Sequence, residues 1–404
     1  MLPKGTRPAR RYTALIGVLL LAAGLRLGLA TIAGPIIDIE NFERVAATIL
    51  RSGPLALYQE TEGQYPYPPV WFIWETAAYM LARGSALPFA LWVRLPTIAA
   101  DMGIVWLIWH WTRHRSPGQA MWRSFGYAVN PVPLIITGLH GQFDAIALFF
   151  TLLALYNLEH RGRYLSAALN LAVGIAVKSF PVLLLPPALL QLRTTRARTL
   201  FGAAAVAPVL LLLLPYVIAM PSALWRELFG YRGAALLGFM VPIRTLYVPL
   251  VGESVPAELT HQIVSISAYL FLAAYLFAIW YQQRRGATLV NTAIAILSLF
   301  YLVYAGIAPQ YLIWIVPFMS VGDASTGRPL LLYSATGALA LVGFYAYAIS
   351  GLIPGTQLLS RPVTQVLYGF SGTLWWLVCL VLVWHSFFGS RAVPGAGDIR
   401  RAGR

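Results

Sequence analysis

The residues best suited to chemistry are a few polar side chains that interrupt apolar sequence. The stretch GLHGQFDAIALFF at 138–150 places an imidazole, an amide and a carboxylate within five positions of an otherwise apolar run. His140, Gln142 and Asp144 could contact a bound substrate, and Gly141 permits a tight turn or a close backbone approach. Alternatively, Asp144 only caps the next helix, because Asp is a favoured N-cap residue. A cap needs no neighbouring His and Gln, so the sequence favours a functional loop.

A second candidate is Asp38, in the segment PIIDIENF. Its carboxylate could act as a general base that accepts the proton of an attacking hydroxyl group, or it could be an ordinary interfacial charge. Glu40 follows two residues later, and an extended chain would put both carboxylates on one face, where they could bind a divalent cation. A divalent cation is the only candidate cofactor, and none is certain. The sequence has no zinc-ligand spacing, P-loop or dinucleotide fingerprint.

Three cations lie in or beside apolar sequence. Lys178 stands in GIAVKSFPVLLLP, and an ammonium group at membrane depth costs about 2.5–3.5 kcal/mol, so a partner or an aqueous cavity is expected. A phosphate is the natural partner near the surface, although the side chain could also snorkel to the interface. Arg244, in GFMVPIRTLY, could hold phosphate through two hydrogen bonds. Arg26, inside the first apolar run, could snorkel outward.

The elements that position these residues are membrane helices. The chain has 404 residues, of which 59% are hydrophobic and only 11% charged, and apolar runs recur along its whole length. The net charge of +15 comes from short basic clusters between those runs. This is the pattern of cytoplasmic loops under the positive-inside rule, and it does not indicate nucleic-acid binding. The fold class is therefore an all-α polytopic membrane protein, with membrane lipids as partners.

Charge also predicts the topology of a single transmembrane domain spanning residues 1–404. With the basic N-terminus in the cytoplasm, 34–86 becomes a first external loop. Its apolar run of about 14 residues would be roughly 21 Å long, too short for a hydrocarbon core of about 30 Å, so we expect an interfacial amphipathic helix there. Alternating the remaining runs gives about twelve crossings, a second long external loop at 221–260 and a basic cytoplasmic tail at 390–404.

This alternation of crossings places four polar interruptions of the apolar sequence on one side of the membrane. Asp38, the HGQFD loop, Lys178 and the PQY sequence that contains Gln310 and Tyr311 all fall at the external face. The sequence therefore predicts that these breaks line one shared cavity.

The order of these motifs resembles the GT-C superfamily of integral-membrane glycosyltransferases. The matching text is Asp38 after the first helix, then YPYPPVWF, NPVPLIITGLHGQFD, KSFPVLLLP and PQYLIWIVPF, over roughly residues 20–320. The nearest likeness is to bacterial polyprenol-phosphate-mannose-dependent mannosyltransferases and the GPI mannosyltransferase I group. The resemblance implies a GT-C-like bundle in the plasma membrane, both termini cytoplasmic, and glycolipid synthesis on the extracytoplasmic face of the cell envelope.

The same resemblance implies the chemistry. A sugar, with mannose favoured, would pass from a polyprenyl-phosphate donor to a lipid or glycan acceptor with inversion. Asp38 would be the catalytic base, and Lys178 or Arg244 would stabilise the departing phosphate. The other predicted substrate-binding residues are Glu40, His140, Gln142, Asp144, Gln310 and Tyr311, and Asp38 with Glu40 would be the ligands of any metal.

Two other functions fit parts of the pattern. A transporter or lipid flippase often has about twelve helices, but it should carry its polar groups near the bilayer midplane on repeated helices. Another lipid-linked transferase would share the cavity and differ in its donor. The concentration of polar groups at one face and the acidic first loop favour an enzyme.

Overall fold

The computed structural model describes residues 7–389 apart from 34–35, 62, 64, 350 and 354. Throughout these residues the only regular structure is helical, as predicted. The first half contains α1 (Arg7–Ile32), α2 (Ile37–Ser52), α3 (Leu57–Glu60), α4 (Trp71–Gly84), α5 (Phe89–Thr112), α6 (Pro117–Ala128), α7 (Pro131–Pro133), α8 (Asp144–Arg161) and α9 (Tyr164–Val177). The second half contains α10 (Leu185–Gln191), α11 (Thr195–Ala219), α12 (Pro221–Leu224), α13 (Met240–Val251), α14 (Ala257–Arg284), α15 (Leu289–Val303), α16 (Val316–Val321), α17 (Gly327–Ala348) and α18 (Arg361–Trp384).

Shorter helical turns join several of these elements. The 3-10 turns are Pro54–Ala56, Phe180–Leu184, Pro309–Ile313, Ala324–Thr326 and Thr356–Leu358, and the π-helical turns are Leu134–His140, Trp225–Phe229 and His385–Gly389. The predicted tail at 390–404 lies outside the described residues.

Six helices in the described part of the chain are long and apolar enough to cross a membrane. They are α1, α5, α11, α14, α17 and α18, with mean hydropathies between 1.5 and 2.3. Further apolar helices are shorter, among them α9 and α15. The predicted total of about twelve crossings requires that such shorter helices, some of them joined to helical turns, also cross.

Prolines end the helices beside the polar segments. Pro181 has no N–H to donate to the carbonyl of Val177, so α9 ends at Val177 and Lys178 is extended, with φ −150° and ψ 140°. Pro131 cannot donate to Tyr127 in the same way. The chain therefore breaks between two helical segments, since α6 ends at Ala128 and a second segment follows from Pro131 to His140.

The predicted interfacial helix is present as α4, with 14 residues, and it packs against α2 and α5. Its Glu75 is fully buried, and neither carboxylate oxygen has a hydrogen-bond partner. Burial raises the pKa of Glu75 well above its ordinary value.

The segment 221–260, predicted as a second long external loop, is partly helical. The twelve-residue helix α13 lies within it and packs against α18. The sequence MVPIRTLYVPLV is apolar but too short to cross a bilayer. Its Val241 packs against Gly372 of α18, and its Met240 is buried with Ala235, Val264 and Ala305.

A buried ion pair ties the first helices together. Arg26 of α1 is fully buried and pairs with Asp101 of α5, whose other oxygen accepts a hydrogen bond from the Tyr127 hydroxyl at 2.5 Å. Arg26 also donates to the carbonyl of Ala128 at 2.9 Å. The snorkelling alternative for Arg26 was therefore wrong, because α5 and α6 satisfy its charge inside the bundle.

Candidate active site

Asp38 lies in the first turn of α2, where two side chains from the HGQFD loop bind the same carboxylate oxygen. Oδ2 of Asp38 is 2.6 Å from His140 Nε2 and accepts a hydrogen bond from Gln142 Nε2 at 2.7 Å. Within the described residues, Oδ1 has no hydrogen-bond partner, and 29% of the side chain is exposed. The carboxylate is thus fixed through one oxygen and open through the other.

The orientation of His140 is set from its other side. Its Nδ1 lies 2.6 Å from the hydroxyl of Tyr345, on α17. Because an ionised carboxylate only accepts hydrogen bonds, Nε2 carries the proton toward Asp38, and in the neutral ring Nδ1 accepts from Tyr345. The Tyr345–His140–Asp38 series therefore connects α17 to α2.

Asp144 belongs to a second, fully buried set of contacts. One oxygen accepts a hydrogen bond from the indole N–H of Trp314 at 2.6 Å, and the other pairs with the Lys178 ammonium group. Although Asp144 lies in the first turn of α8, its side chain does not cap that helix. The capping alternative was therefore wrong, and Asp144 connects α8 to the segments that carry Lys178 and Trp314.

Lys178 is committed to protein partners. Its ammonium group donates to Asp144 and, at 3.2 Å, to Oε1 of Gln142, and it lies 4.4 Å from the ring centroid of Phe143 and 5.2 Å from that of Tyr67. These contacts account for its donors, so Lys178 neutralises Asp144 and orients the amide that holds Asp38.

The environment of Asp38 favours its ionised form. Burial alone would raise the pKa of Asp38, but the interactions with His140, the hydrogen bond from Gln142 and the positive charge of Lys178 together lower it below its ordinary value of 3.8. Asp38 is therefore a carboxylate at physiological pH, as a proton acceptor must be.

This lowered pKa predicts a pH profile. Activity that needs ionised Asp38 should persist down to pH 3.8 and fall only below it, as the carboxylate is protonated. Replacing Gln142 with Leu removes one donor, so the pKa of Asp38 rises and the acidic limb of the kcat profile moves to higher pH. Gln262→Leu, an exposed amide on α14, is the control, and the prediction fails if both variants keep the wild-type limb.

Arg94 is a residue of this site that the sequence analysis missed. It is 1% exposed, and its guanidinium group donates to the carbonyls of Leu139 and His140 at 2.9 and 3.3 Å. Gly141 has φ +85°, and a Cβ there would lie 2.5 Å from Nε of Arg94. A charged residue inside the apolar run LPFALWVRLP was the signal available for Arg94, like that for Lys178.

Gly141→Ala should therefore disrupt the site more than an ordinary glycine replacement. The new Cβ meets Arg94 and adopts a left-handed conformation, so we expect a loss of more than about 2 kcal/mol of stability together with loss of activity. Gly162→Ala is the matched control, because Gly162 also has positive φ (+60°) but no atom within 4 Å of its Cβ position. Equal losses of melting temperature and activity in the two variants would contradict the prediction.

The PQY segment contacts the site through Trp314, three residues after Tyr311 in the chain. Tyr311 stacks on Trp314 with ring centroids 4.1 Å apart, and Trp314 binds Asp144. Gln310 is buried in the same turn.

Two predicted residues are not brought to this cluster. Glu40 is exposed and lies two residues after Asp38 on α2, about 200° around the helix, so the extended pairing was wrong. Arg244 lines a cavity of about 490 Å³ between α13, α17 and α18, next to Phe344 and Tyr347. The lining of this cavity includes none of Asp38, His140, Gln142, Asp144 and Lys178.

The metal prediction finds no support in this arrangement. Within the described residues, no three His, Cys, Asp or Glu side chains are grouped as metal ligands. Asp38 and Glu40 point to different faces of α2, so they do not fit one divalent cation.

Comparisons with known proteins give a general likeness only. No known protein family matches the sequence, and no curated protein matches it. The chain resembles a crystal structure of ArnT from Cupriavidus metallidurans bound to undecaprenyl phosphate, with 13% identity and a TM-score of 0.48, covering 94% of this chain and 77% of that one. A likeness this loose concerns the arrangement of helices, and the proposal below rests on the residues of this chain.

Proposed function

We propose that this protein is a GT-C-type glycosyltransferase of the plasma membrane, with Asp38 as its general base. It moves a sugar, with mannose favoured by the motif series, from a polyprenyl-phosphate donor to a lipid or glycan acceptor on the extracytoplasmic face. The observation that carries the proposal is the carboxylate of Asp38, fixed through Oδ2 by His140 and Gln142 and open at Oδ1.

The reaction uses the open oxygen of that carboxylate. Oδ1 of Asp38 accepts the proton of an acceptor hydroxyl while the acceptor oxygen forms a bond to the anomeric carbon. The bond from that carbon to the phosphate oxygen breaks, and polyprenyl phosphate leaves with the electron pair. Attack opposite the leaving group inverts the anomeric centre, and no oxidant, nucleotide or covalent enzyme intermediate is needed.

Arg244 supplies the cation for the donor phosphate. It forms no ion pair with any residue that the structure describes, whereas Lys178 is already paired with Asp144. Arg244 shares its cavity with Tyr368, and the remaining cavity walls are largely apolar, as a polyprenyl chain requires. The predicted phosphate role therefore passes from Lys178 to Arg244, and Lys178 positions Asp38 through Gln142.

The charge distribution supports an extracytoplasmic site. The segment around Asp38 carries Glu40, Glu43 and Glu60 beside Arg44 and Arg51, whereas the alternate ends of the helices carry clusters of arginines. Those arginines are Arg113, Arg161, Arg163, Arg193, Arg198, Arg284 and Arg285. Under the positive-inside rule the arginine-rich end faces the cytoplasm, and so do both termini.

A transporter or flippase remains the second candidate. Against it, the polar contacts of Asp38, His140 and Lys178 lie where helices end, not midway along repeated helices. The purified chain in liposomes should release polyprenyl phosphate from polyprenyl-phosphate mannose and glycosylate a membrane-lipid extract. Movement of a fluorescent polyprenyl-phosphate analogue between leaflets, without product, would establish the transporter instead.

A further inference from the structure

A small basic pocket lies among the arginine-rich helix ends, where α10, α11 and α14 meet. Its volume of about 330 Å³ is at the lower end of the range of roughly 300–1,000 Å³ that ligand sites occupy, so it suits a small group. It shares no lining residue with the Arg244 cavity and contains none of the Asp38 cluster. Its walls are Leu190, Gln191, Leu192, Arg193, Arg198 and Gln283.

The positive charge of this pocket is not balanced within the part of the chain that the structure describes. No aspartate or glutamate lines the pocket, and neither Arg193 nor Arg198 pairs with a described carboxylate. Nε of Arg198 donates to the carbonyl of Leu192 at 2.9 Å, which leaves the two terminal nitrogens of the guanidinium group without a described acceptor. The pocket therefore offers two positive charges and unused donors to a ligand.

Contacts around the pocket hold its walls in place. Nε2 of Gln191 donates to the carbonyl of Ala287 at 3.3 Å, which ties the end of α10 to the turn that follows α14. Two residues later, the backbone N–H of Leu289 donates to the carboxylate of Glu159, near the end of α8. The pocket is thus preformed, and it lies at the same end of the bundle as Arg163, which begins the link from α8 to α9.

The pocket lies at the surface of the membrane. Two of its walls belong to α11 and α14, which are both long and apolar enough to cross a bilayer, and Leu190 in its wall is itself exposed. At the end of α14 the guanidinium group of Arg284 lies 4.7 Å from the ring centroid of Trp280, which is also exposed. An aromatic ring beside a cation is typical of the boundary between the hydrocarbon core and the head groups.

We propose that this basic pocket binds the phosphate of an anionic phospholipid in the surrounding leaflet. Arginine holds phosphate through two parallel hydrogen bonds, and the amides of Gln191 and Gln283 can donate further ones. Basic pockets between membrane helices on the cytoplasmic side bind anionic head groups, and the proposed orientation places this end in the cytoplasm. The assignment does not depend on the role of Asp38. Free phosphate would satisfy the same arginines, so the experiment separates the two sources.

The first measurement is lipid retention by the full chain, read by native mass spectrometry after release from nanodiscs with equal amounts of phosphatidylglycerol and phosphatidylcholine. Wild type should retain phosphatidylglycerol in preference, because the choline of the other lipid cancels its phosphate charge. Arg193→Gln should lower that preference about tenfold, through loss of a charge-assisted phosphate contact. The fold should not suffer, since the Arg193 side chain has no described protein partner.

Arg163→Gln is the matched control for Arg193→Gln. Arg163 is also exposed, lies at the same end of the bundle, and has no described side-chain partner, but it lies outside the pocket. This variant should keep the wild-type preference. Equal retention of the two lipids by wild type would overturn the proposal, and so would an equal loss in both variants, which would indicate a general effect of surface charge.

The second measurement assigns the phosphate to a lipid or to free phosphate. In neutral detergent, phosphatidylglycerol should raise the unfolding temperature of wild type, because a ligand that binds only the folded state stabilises it. The double variant Arg193→Gln with Arg198→Gln should lose this shift. Inorganic phosphate at the same concentration should leave the wild-type temperature unchanged. A shift with inorganic phosphate as large as that with the lipid would overturn the lipid assignment.

Discussion

Asp38→Asn is expected to lower kcat for sugar transfer by about 10²- to 10⁴-fold, the usual contribution of a positioned general base. The amide keeps the size of the carboxylate, and its oxygen can still accept hydrogen bonds from His140 and Gln142. The group left at the open position is then an NH₂, which cannot take a proton from the acceptor. Because the donor phosphate is assigned to Arg244, the KM for the donor should change little.

The measurement is a radiolabelled transfer assay with variants that elute as folded protein from size exclusion. Asp323→Asn is the matched control, since Asp323 lies between α16 and α17, at the end of the bundle opposite to Asp38. Undiminished transfer by Asp38→Asn would remove Asp38 from its proposed role. Equal loss in both variants would point to a general effect on the fold.

Lys178→Met is expected to have the second largest effect, on stability as well as activity. It leaves the charge of Asp144 fully buried and without its partner, which costs about 3–5 kcal/mol when one member of a buried pair is removed. The double variant Lys178→Met with Asp144→Asn removes both charges, so most of this stability should return. Activity should not return, because Gln142 has lost the ammonium group that orients it toward Asp38.

Thermal unfolding in detergent, read beside the transfer assay, checks both parts of this prediction. Arg51→Met is the control, because the Arg51–Glu60 pair is exposed and should contribute little to stability. If Lys178→Met unfolds at the wild-type temperature, the pair does not hold the site together. If the double variant regains full activity, the positioning role of Lys178 is wrong.

Several features of the fold could be predicted because their causes are local in the sequence. The membrane helices follow from apolar length, and the ends of α6 and α9 follow from Pro131 and Pro181, which lack the N–H that continues a helix. Successive membrane helices end on alternate sides of the membrane. The positions of the basic clusters were therefore enough to predict that Asp38, the HGQFD loop and Lys178 lie on the same side. The cluster of these residues was therefore a sequence-level prediction, and their contacts in the structure agree with it.

The errors have a different physical origin. Glu40 was paired with Asp38 on the assumption of an extended chain, but the segment begins the helix α2, and two residues of helical rotation separate the carboxylates. Arg244 was grouped with Lys178 because both were placed at the external side. In the structure Lys178 pairs with Asp144, whereas Arg244 lines a cavity whose walls include none of the Asp38 cluster.

By itself the sequence determined the helical class and the main breaks, and it predicted that the polar groups emerge on one side, since these depend on local hydropathy, proline and charge. Only the tertiary structure decided which side chains meet. His140 binds Asp38 across 102 positions and Trp314 binds Asp144 across 170, whereas Arg94 holds the HGQFD loop from a helix that carried no recognised motif. Such pairings depend on how each helix is rotated and packed against its neighbours, and no short-range pattern records that rotation.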